Sequence, residues 1–163
     1  MSHRFARAGF TLIELLLVIG IIAILAAIVI VAINPTKQLG DPRNAQRRSD
    51  VNTLLNATYQ YAIDNAGNLP PVGAAVGAVA ISTTATGICN NTVKPAAACT
   101  GLVDLGILTT NGKYLVGIPA DPSNSTTAVP DTTNYLISKD ANGRVTVSSP
   151  NCENTPCTIS VTR

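Results

Sequence analysis

The chain contains no tryptophan, and its 163 residues include only two phenylalanines and four tyrosines. Because aromatic side chains bury the largest apolar areas, a soluble domain of this composition has a small core. We therefore expect the folded part to gain stability from covalent links and from neighbouring molecules. Charged residues are also few, at 12%. The net charge of +2 disappears when residues 1–9 are left out. A chain without net charge gives no general electrostatic reason to bind nucleic acid.

Signatures of catalysis are missing as well. The single histidine, His3, lies in the N-terminal segment, the serines lack a Gly-x-Ser-x-Gly context, and no phosphate-binding loop is present. We therefore expect neither enzyme activity nor a resident cofactor. Calcium is the one alternative, because hard oxygen ligands recur in the C-terminal loops at Asp121, Asp131, Asp140 and Asn142. Their spacing lacks a calcium-loop pattern and is typical of turns, so we expect no metal site.

Four cysteines follow the N-terminal region, and they indicate disulfides formed in an oxidising compartment. They are Cys89, Cys99, Cys152 and Cys157. Local pairing of the first two and of the last two is favoured, although three connectivities are possible. Loops this short are worth about 2–3 kcal/mol each in the chain-entropy account. Zinc is an alternative for the last pair, whose spacing fits a zinc knuckle, and reduced thiols remain a second alternative.

An apolar run without any polar side chain extends over residues 15–33. A helix over residues 10–33 would be about 36 Å long, enough to cross a hydrocarbon core of about 30 Å. Arg4 and Arg7 precede it and place the N-terminus in the cytoplasm by the positive-inside rule. A secretory signal peptide has a shorter apolar region followed by a cleavage site of small residues, which this sequence lacks. A plain membrane anchor is the other alternative, but neither explains Glu14.

Glu14 is the one acid inside this segment. A carboxylate costs about 2.5–3.5 kcal/mol at the membrane centre, and the helix N-terminus returns only about 0.3–1 kcal/mol. A partner cation would supply the difference. If the chain is cut after Gly9, Phe10 acquires a free amine one helical turn away from Glu14. That amine, its own or a neighbouring copy's, would neutralise the acid, and a neighbour's amine would set the register between subunits.

The stretch from Gly9 through Phe10 and Glu14 to Leu16 resembles the class III signal of type IV pilins and type II secretion pseudopilins. The resemblance implies cleavage between Gly9 and Phe10 by a membrane prepilin peptidase, and N-methylation of Phe10. It also implies that Glu14 pairs with the amine of an adjacent subunit during assembly. One departure is visible, because many pilins carry a proline near the position of Val31. Any melting of this helix would therefore centre on Gly20 or on the Asn34-Pro35 pair.

A second helical segment follows the apolar one. Asp41-Pro42 predicts an N-cap with proline at the first helical position, and Asn65-Ala66-Gly67 predicts the end of the helix. Three arginines form a basic cluster on this segment. We interpret the cluster as a solvated face with ion pairs such as Arg47 to Asp50, or as a surface for subunit packing. Contacts with lipid headgroups or DNA are the less favoured alternatives. The cluster comprises Arg43, Arg47 and Arg48. One apolar stripe comprises Val51, Leu54, Leu55, Tyr59, Ala62 and Ile63.

The C-terminal part predicts a small antiparallel sheet. Residues 68–101 are expected to be mostly loop with a short strand, and residues 102–108 to form helical turns. Alternating apolar residues predict strands over 134–139, 144–149 and 158–162, with a hairpin turn at 140–143. The sheet is expected to pack on the apolar stripe. Residues 114–122, which end in Pro-x-Asp-Pro, resemble the segment before the sheet in pilins and pseudopilins.

We therefore predict an α+β pilin fold, in which a long, kinked N-terminal helix with a transmembrane first half packs against a small antiparallel sheet. The predicted organisation is a leader (1–9), a transmembrane and filament-core helix (10–33), an amphipathic second half (34–67) and a head (68–163). The precursor is expected in the inner membrane with its N-terminus in the cytoplasm, and the mature chain in an extracellular filament.

The resemblance implies a structural subunit, a major pilin, of a type IV pilus-like surface filament. A type II secretion pseudopilin, or a minor pilin acting as an adhesin or DNA-uptake module, is the alternative. The implied partners are other copies of the chain, the prepilin peptidase, the pilus assembly ATPase, the inner-membrane platform protein and the membrane. Nucleic acid is not expected as a direct partner.

Overall fold

The structure is a computed structural model that describes residues 9–33, 35–73, 76, 78–89, 99–123, 132–154 and 156–163. The chain divides into two compact units, one ending at Gln38 and the other spanning Leu39–Arg163. Two α-helices precede a small four-stranded antiparallel sheet, which confirms the predicted α+β class. The elements are α1 (Leu12–Ile33), α2 (Pro35–Asp64), β1 (Thr86–Cys89), a 3-10 helix (Gly106–Gly112), β2 (Thr132–Lys139), β3 (Val145–Ser149) and β4 (Ile159–Thr162).

Helix α1 has 22 residues and contains no buried residue. Its length of about 33 Å and its apolar composition are sufficient for one membrane crossing. Glu14 in the first turn is its only charged side chain. A helix that is apolar on every side must be covered by lipid or by other protein, because water would solvate it poorly.

Helix α2 begins earlier than the sequence predicts. It starts at Pro35, and Pro42 lies inside it, so the predicted N-cap at Asp41 is wrong. An internal proline costs about 3 kcal/mol because it removes one hydrogen bond and crowds the preceding turn. The turn that contains this proline contacts the C-terminal loop: Gly40 is buried, and Asp41 accepts a hydrogen bond of 2.8 Å from the Asn154 amide.

The end of α2 is where the sequence predicts it. The last helical residue is Asp64, and the N–H of Gly67 donates to the carbonyl of Ala62 at 2.8 Å. Ala66 has a φ of 55° and Gly67 a φ of 86°. This is the left-handed ending that closes the carbonyls of a last helical turn, and Ala66 holds it without the freedom of glycine.

The apolar stripe of α2 is mostly confirmed. Val51, Leu54, Leu55 and Ala62 are buried, and Tyr59 is half-buried against the core. Ile63 was predicted to be in the stripe, but its side chain is 72% exposed. One residue beyond Ala62 is about 100° further around the helix, which turns Ile63 away from the core. Thr58 takes part in the buried face instead, and its hydroxyl donates to the Leu54 carbonyl at 2.8 Å.

The sheet has the strand order β1-β2-β3-β4, and its three longest predicted strands are present. Ile137 pairs with Val147, which pairs in turn with Val161. At the predicted hairpin turn, one oxygen of Asp140 accepts the backbone N–H groups of Asn142 and Arg144 at 2.9 Å. β1 is the short strand expected within residues 68–101.

The core lies between the sheet and α2, as predicted. Alternate strand residues point at the helix stripe, among them Tyr135, Ile137, Val145, Val147 and Ile159. The predicted helical turns at 102–108 are wrong at their start. Val103 instead bridges to Val79 and Ile88, and the 3-10 helix begins at Gly106, whose N–H is accepted by Asp104 at 2.8 Å.

Candidate functional site

The first candidate site is the segment where α1 begins. Thr11 precedes the helix, and one carboxylate oxygen of Glu14 accepts the Thr11 backbone N–H and its hydroxyl, each at 2.8 Å. The Glu14 N–H donates back to the Thr11 hydroxyl at 3.3 Å. This reciprocal arrangement is a capping box, which satisfies two backbone donors that a helix start leaves open. The Thr-x-x-Glu spacing is the usual sequence signal of a capping box, but this motif was not among the predictions.

The surroundings of Glu14 contain no cation in the described part of the chain. Its side chain is exposed, and the ion pairs of the described residues involve other acids. Gly9 and Phe10 precede the helix in irregular backbone, and the Phe10 side chain is 84% exposed. The predicted cleavage bond therefore lies in an irregular, exposed segment about one helical turn before the acid. Cleavage and methylation themselves remain predictions.

The second candidate site is built around Arg47 of α2. Its side chain is fully buried, and its guanidinium donates two hydrogen bonds to the two oxygens of Asp121, at 2.7 and 3.0 Å. It also donates to Ser123 at 3.0 Å, to Glu153 at 3.1 Å and to Asn44 at 2.8 Å. Four side chains from three chain segments thus present five oxygens to one cation.

This arrangement overturns the sequence interpretation of Arg47 as part of a solvated face. Its expected partner, Asp50, instead accepts hydrogen bonds of 2.7 Å from Gln46 and from the hydroxyl of the buried Tyr135. The two acids that bind Arg47 come from segments more than 70 residues further along the chain. Periodicity along one helix therefore could not have indicated the pairing.

The electrostatics of this Arg47 cluster favour its ionised form. Burial raises the pKa of Asp121, but the hydrogen bonds from Arg47 and Ser123 outweigh it and hold that pKa below its ordinary value. The bond to Asp121 correspondingly raises the pKa of Arg47. Burial, together with the bond to Asp50, raises the pKa of Tyr135. The cluster therefore acts as a structural ion pair, in which carboxylates neutralise the buried guanidinium. Among the described residues that bind these groups, none is free to exchange a proton with them.

The four cysteines form two disulfides in the structure, Cys89 to Cys99 and Cys152 to Cys157. This is the local connectivity that the sequence favoured, in place of zinc or free thiols. The first pair packs with Ala78 and Leu102 in a small cluster of its own, whereas the second packs against the main core.

The calcium candidates are not brought together where the structure describes them. Asp121 is held by Arg47, and Asp140 binds the Arg144 guanidinium at 2.7 Å in the hairpin turn that also contains Asn142. Asp131 lies outside the described residues. No group of three or more His, Cys, Asp or Glu side chains suited to a metal ion occurs in the described ranges. The expected absence of a metal remains a prediction.

Comparison with protein families finds a match to the prokaryotic N-terminal methylation motif over residues 4–30. Comparisons with curated proteins and with solved structures find no match. The matched residues include the predicted cleavage bond, Thr11, Glu14 and most of α1, and the following described chain is a helix with a small antiparallel sheet. Residues 4–30 are therefore the class III prepilin signal of type IV pilins and pseudopilins, carried by a chain with an α+β, pilin-like fold.

Proposed function

We propose that this chain is a major structural subunit of a type IV pilus-like surface filament. In this proposal the prepilin peptidase cuts between Gly9 and Phe10, the new Phe10 amine is methylated, and the subunits polymerise through α1. The observation that carries the proposal is the single acid, Glu14, on a helix that buries none of its residues in its own chain. The apolar surface of such a helix needs other molecules to cover it, and the carboxylate of Glu14 needs a cation to neutralise it.

The surroundings of α1 change when the helix leaves the bilayer for a filament. Its apolar side chains pass from lipid to the side chains of other copies, and this exchange is nearly neutral because both environments are apolar. Glu14 is the exception. Before processing, the carboxylate contacts only the uncharged donors of Thr11 among the described residues, whereas in a filament it would face a neighbour's Phe10 amine. The gain from this ion pair in apolar surroundings would favour the filament and fix its register.

The head supports a structural role in this proposal. In the described part of the head, the buried polar groups around Arg47 and around Asp50 are each hydrogen-bonded within their own grouping. We therefore propose no catalytic function and no resident cofactor for the described part of the head. The proposed partners are other copies of the chain, the peptidase, the assembly ATPase, the platform protein and the membrane, with the precursor in the inner membrane and its N-terminus in the cytoplasm.

Mass spectrometry of the mature chain tests the processing step. We expect an N-terminal Phe10 carrying one methyl group, and a working chain that retains residues 1–9 would refute the proposal. Glu14→Ala tests assembly: the variant should insert into the membrane normally and be absent from sheared surface filaments. Glu14→Asp is the matched control, because it keeps the charge, and it should retain part of the assembly. Normal filaments from Glu14→Ala would contradict the role of the acid.

Abundance separates the major subunit from its alternatives. A major pilin should be the predominant protein of filaments sheared from the cell surface. A pseudopilin of a type II secretion system, or a minor pilin that acts as an adhesin or in DNA uptake, should be scarce or missing there. Quantification of the chain in such a preparation therefore decides between these functions.

A further inference from the structure

The two outer strands of the sheet differ in how their edges are covered. At β1, the Val103 N–H donates to the Gly87 carbonyl at 2.8 Å, and the Cys89 N–H donates to the Val103 carbonyl at 2.9 Å. The register of β1 also shifts between Gly87 and Cys89. A covering segment and an irregular register both hinder an edge from pairing with another chain. Within the described residues, β4 at the opposite edge has neither.

The pairing of β4 with β3 determines which of its backbone groups face outwards. Val145 and Arg163 exchange both of their backbone hydrogen bonds, at 2.9 and 3.1 Å. Hydrogen-bonded and non-hydrogen-bonded pairs alternate along an antiparallel ladder, so Val161 also bonds to β3, whereas Ser160 and Thr162 do not. The N–H and C=O groups of these last two residues therefore point away from β3, and we call them the β4 edge. Both residues are exposed, and no hydrogen bond of the described chain reaches their backbone groups.

The sequence of β4 favours pairing at this edge. Three of its four residues have β-branched side chains, and none is charged, glycine or proline. Lysine, proline or a bulge are the usual means by which an exposed edge is protected, and β4 contains none of them. The Thr162 hydroxyl is hydrogen-bonded to that of Thr146 on β3 at 2.7 Å, so it is directed away from the outward backbone groups.

A second copy of the same edge is complementary to it. When two β4 strands pair antiparallel about a two-fold axis at Val161, Ser160 of each chain lies opposite Thr162 of the other. Each chain then supplies two donors and two acceptors, which form four backbone hydrogen bonds. The facing side chains are uncharged hydroxyl residues, which attract one another across strands and introduce no like-charge repulsion. The hydrogen-bonding pattern and the neutral charge of the edge thus both fit another copy of this chain.

We propose that the β4 edge is a self-pairing surface, through which the four-stranded sheets of two heads join into one continuous antiparallel sheet. Such a contact is isologous, because the same residues take part from both chains. Copies along one polar filament are related by a helical repeat and make heterologous contacts, so this contact joins copies of two different filaments. Only this last consequence, the association of filaments side by side, rests on the proposed function.

Sedimentation equilibrium of the full-length chain tests the pairing, with detergent micelles in excess of chains so that each α1 occupies its own micelle. We expect a reversible dimer for the wild-type chain. Ser160→Pro should weaken dimerisation by about tenfold or more, because it removes an outward N–H from both chains that the sheet of each head does not use. Ser160→Ala is the matched control, which keeps the backbone donor and should change dimerisation by less than about twofold. A wild-type chain that stays monomeric, or a Ser160→Pro chain that dimerises as strongly as the wild type, would overturn the proposal.

A charge exchange keeps the test decisive if Ser160→Pro fails to fold. Ser160→Lys with Thr162→Lys places like charges opposite each other at both pairs and should abolish the dimer, and Ser160→Glu with Thr162→Glu should do the same. An equimolar mixture of the two variants should recover dimers, because opposite charges then face each other. Thr146→Lys, the control, adds the same charge one strand inward and should leave the dimer unchanged. A mixture that stays monomeric would contradict pairing through the β4 edge.

The filament consequence has its own measurement. Electron microscopy should show wild-type filaments side by side and Ser160→Pro filaments singly, at an equal yield, and side-by-side filaments from Ser160→Pro would refute this consequence. The sedimentation measurements involve no filament. A failed self-pairing therefore leaves the filament proposal standing, whereas absence of the wild-type chain from surface filaments would refute the filament proposal and not the self-pairing.

Discussion

Glu14 and Arg47 show how differently the two units of this chain treat a charge. Glu14 lies on α1, where no residue is buried, and its carboxylate contacts only Thr11 within the described chain. Arg47 is buried in the unit Leu39–Arg163, and its guanidinium has partners from α2, from the loop after Ile118 and from the C-terminal disulfide loop. Among the described residues, Glu14 has no oppositely charged partner, whereas Arg47 has two, Asp121 and Glu153.

This difference separates folding from assembly. Changes around Arg47 act on the free energy of unfolding of the head, because they leave buried charges without partners. Changes at Glu14 should leave the head intact and act on polymerisation, because in the proposed filament its partner belongs to another copy. The predictions that follow test this separation, beginning with the largest effect.

Arg47→Ala should destabilise the head by about 3–5 kcal/mol, because it leaves Asp121 buried without its cation. Urea unfolding of the full-length chain in micelles measures the change. Arg48→Ala is the control on the neighbouring, exposed position and should stay within about 0.5 kcal/mol. A similar, small effect of both substitutions would show that the Arg47 cluster does not stabilise the head.

Tyr135→Phe should cost about 1–3 kcal/mol, because it removes the hydroxyl that donates to the buried Asp50. The same unfolding measurement applies. Tyr61→Phe, at a half-buried ring in edge-to-face contact with Tyr114, serves as the control and should change stability by less than about 0.5 kcal/mol. A loss of stability in the control equal to that of Tyr135→Phe would refute a specific role for the Asp50 bond.

Acid should weaken the Arg47 cluster in a defined direction. Because the pKa of Asp121 is lowered in the folded head, its contribution is fully present above the unfolded value of about 3.9. The contribution is lost as the pH falls through the lower, folded pKa. The urea midpoint should therefore decrease below about pH 4 in the wild-type chain, and less steeply in Asp121→Asn. An equal acid slope in both chains would contradict this assignment.

Ala66→Gly should give the smallest effect, a gain of about 0.5 kcal/mol. Glycine relieves the left-handed strain at φ 55°, worth about 1–2 kcal/mol, and loses part of that gain to its greater freedom in the unfolded chain. Thermal unfolding measures the change. Ala45→Gly is the opposite control, because Ala45 lies exposed inside α2, where glycine should cost about 1 kcal/mol. A loss of stability from Ala66→Gly would show that the helix end is not strained.

Local patterns in the sequence predicted much of this chain. The apolar run predicted α1, the alternation around Tyr135 and Val147 predicted the strands, and the Ala66-Gly67 pair predicted the end of α2. Each of these features depends on residues close together in the chain, because period, turn chemistry and capping are local. The capping box at Thr11 was equally local, and only its interpretation was missed.

The sequence by itself determined that an acid lies one turn from the predicted processing site at the start of an apolar helix, because adjacent residues suffice to encode it. Only the tertiary structure decided that Pro42 lies inside α2, that Ile63 faces solvent, and that Arg47 is buried. The burial of Arg47 depends on Asp121 and Glu153, and the helical turn around Pro42 contacts Asn154. These residues lie in segments far along the chain, and no helical period carries information about partners at that distance. Ile63 faces solvent because the core covers a different side of α2. A cluster of charged residues on a helix has the same sequence pattern whether water solvates it or distant carboxylates neutralise it. Only the packing of the folded chain decides which of its side chains are buried.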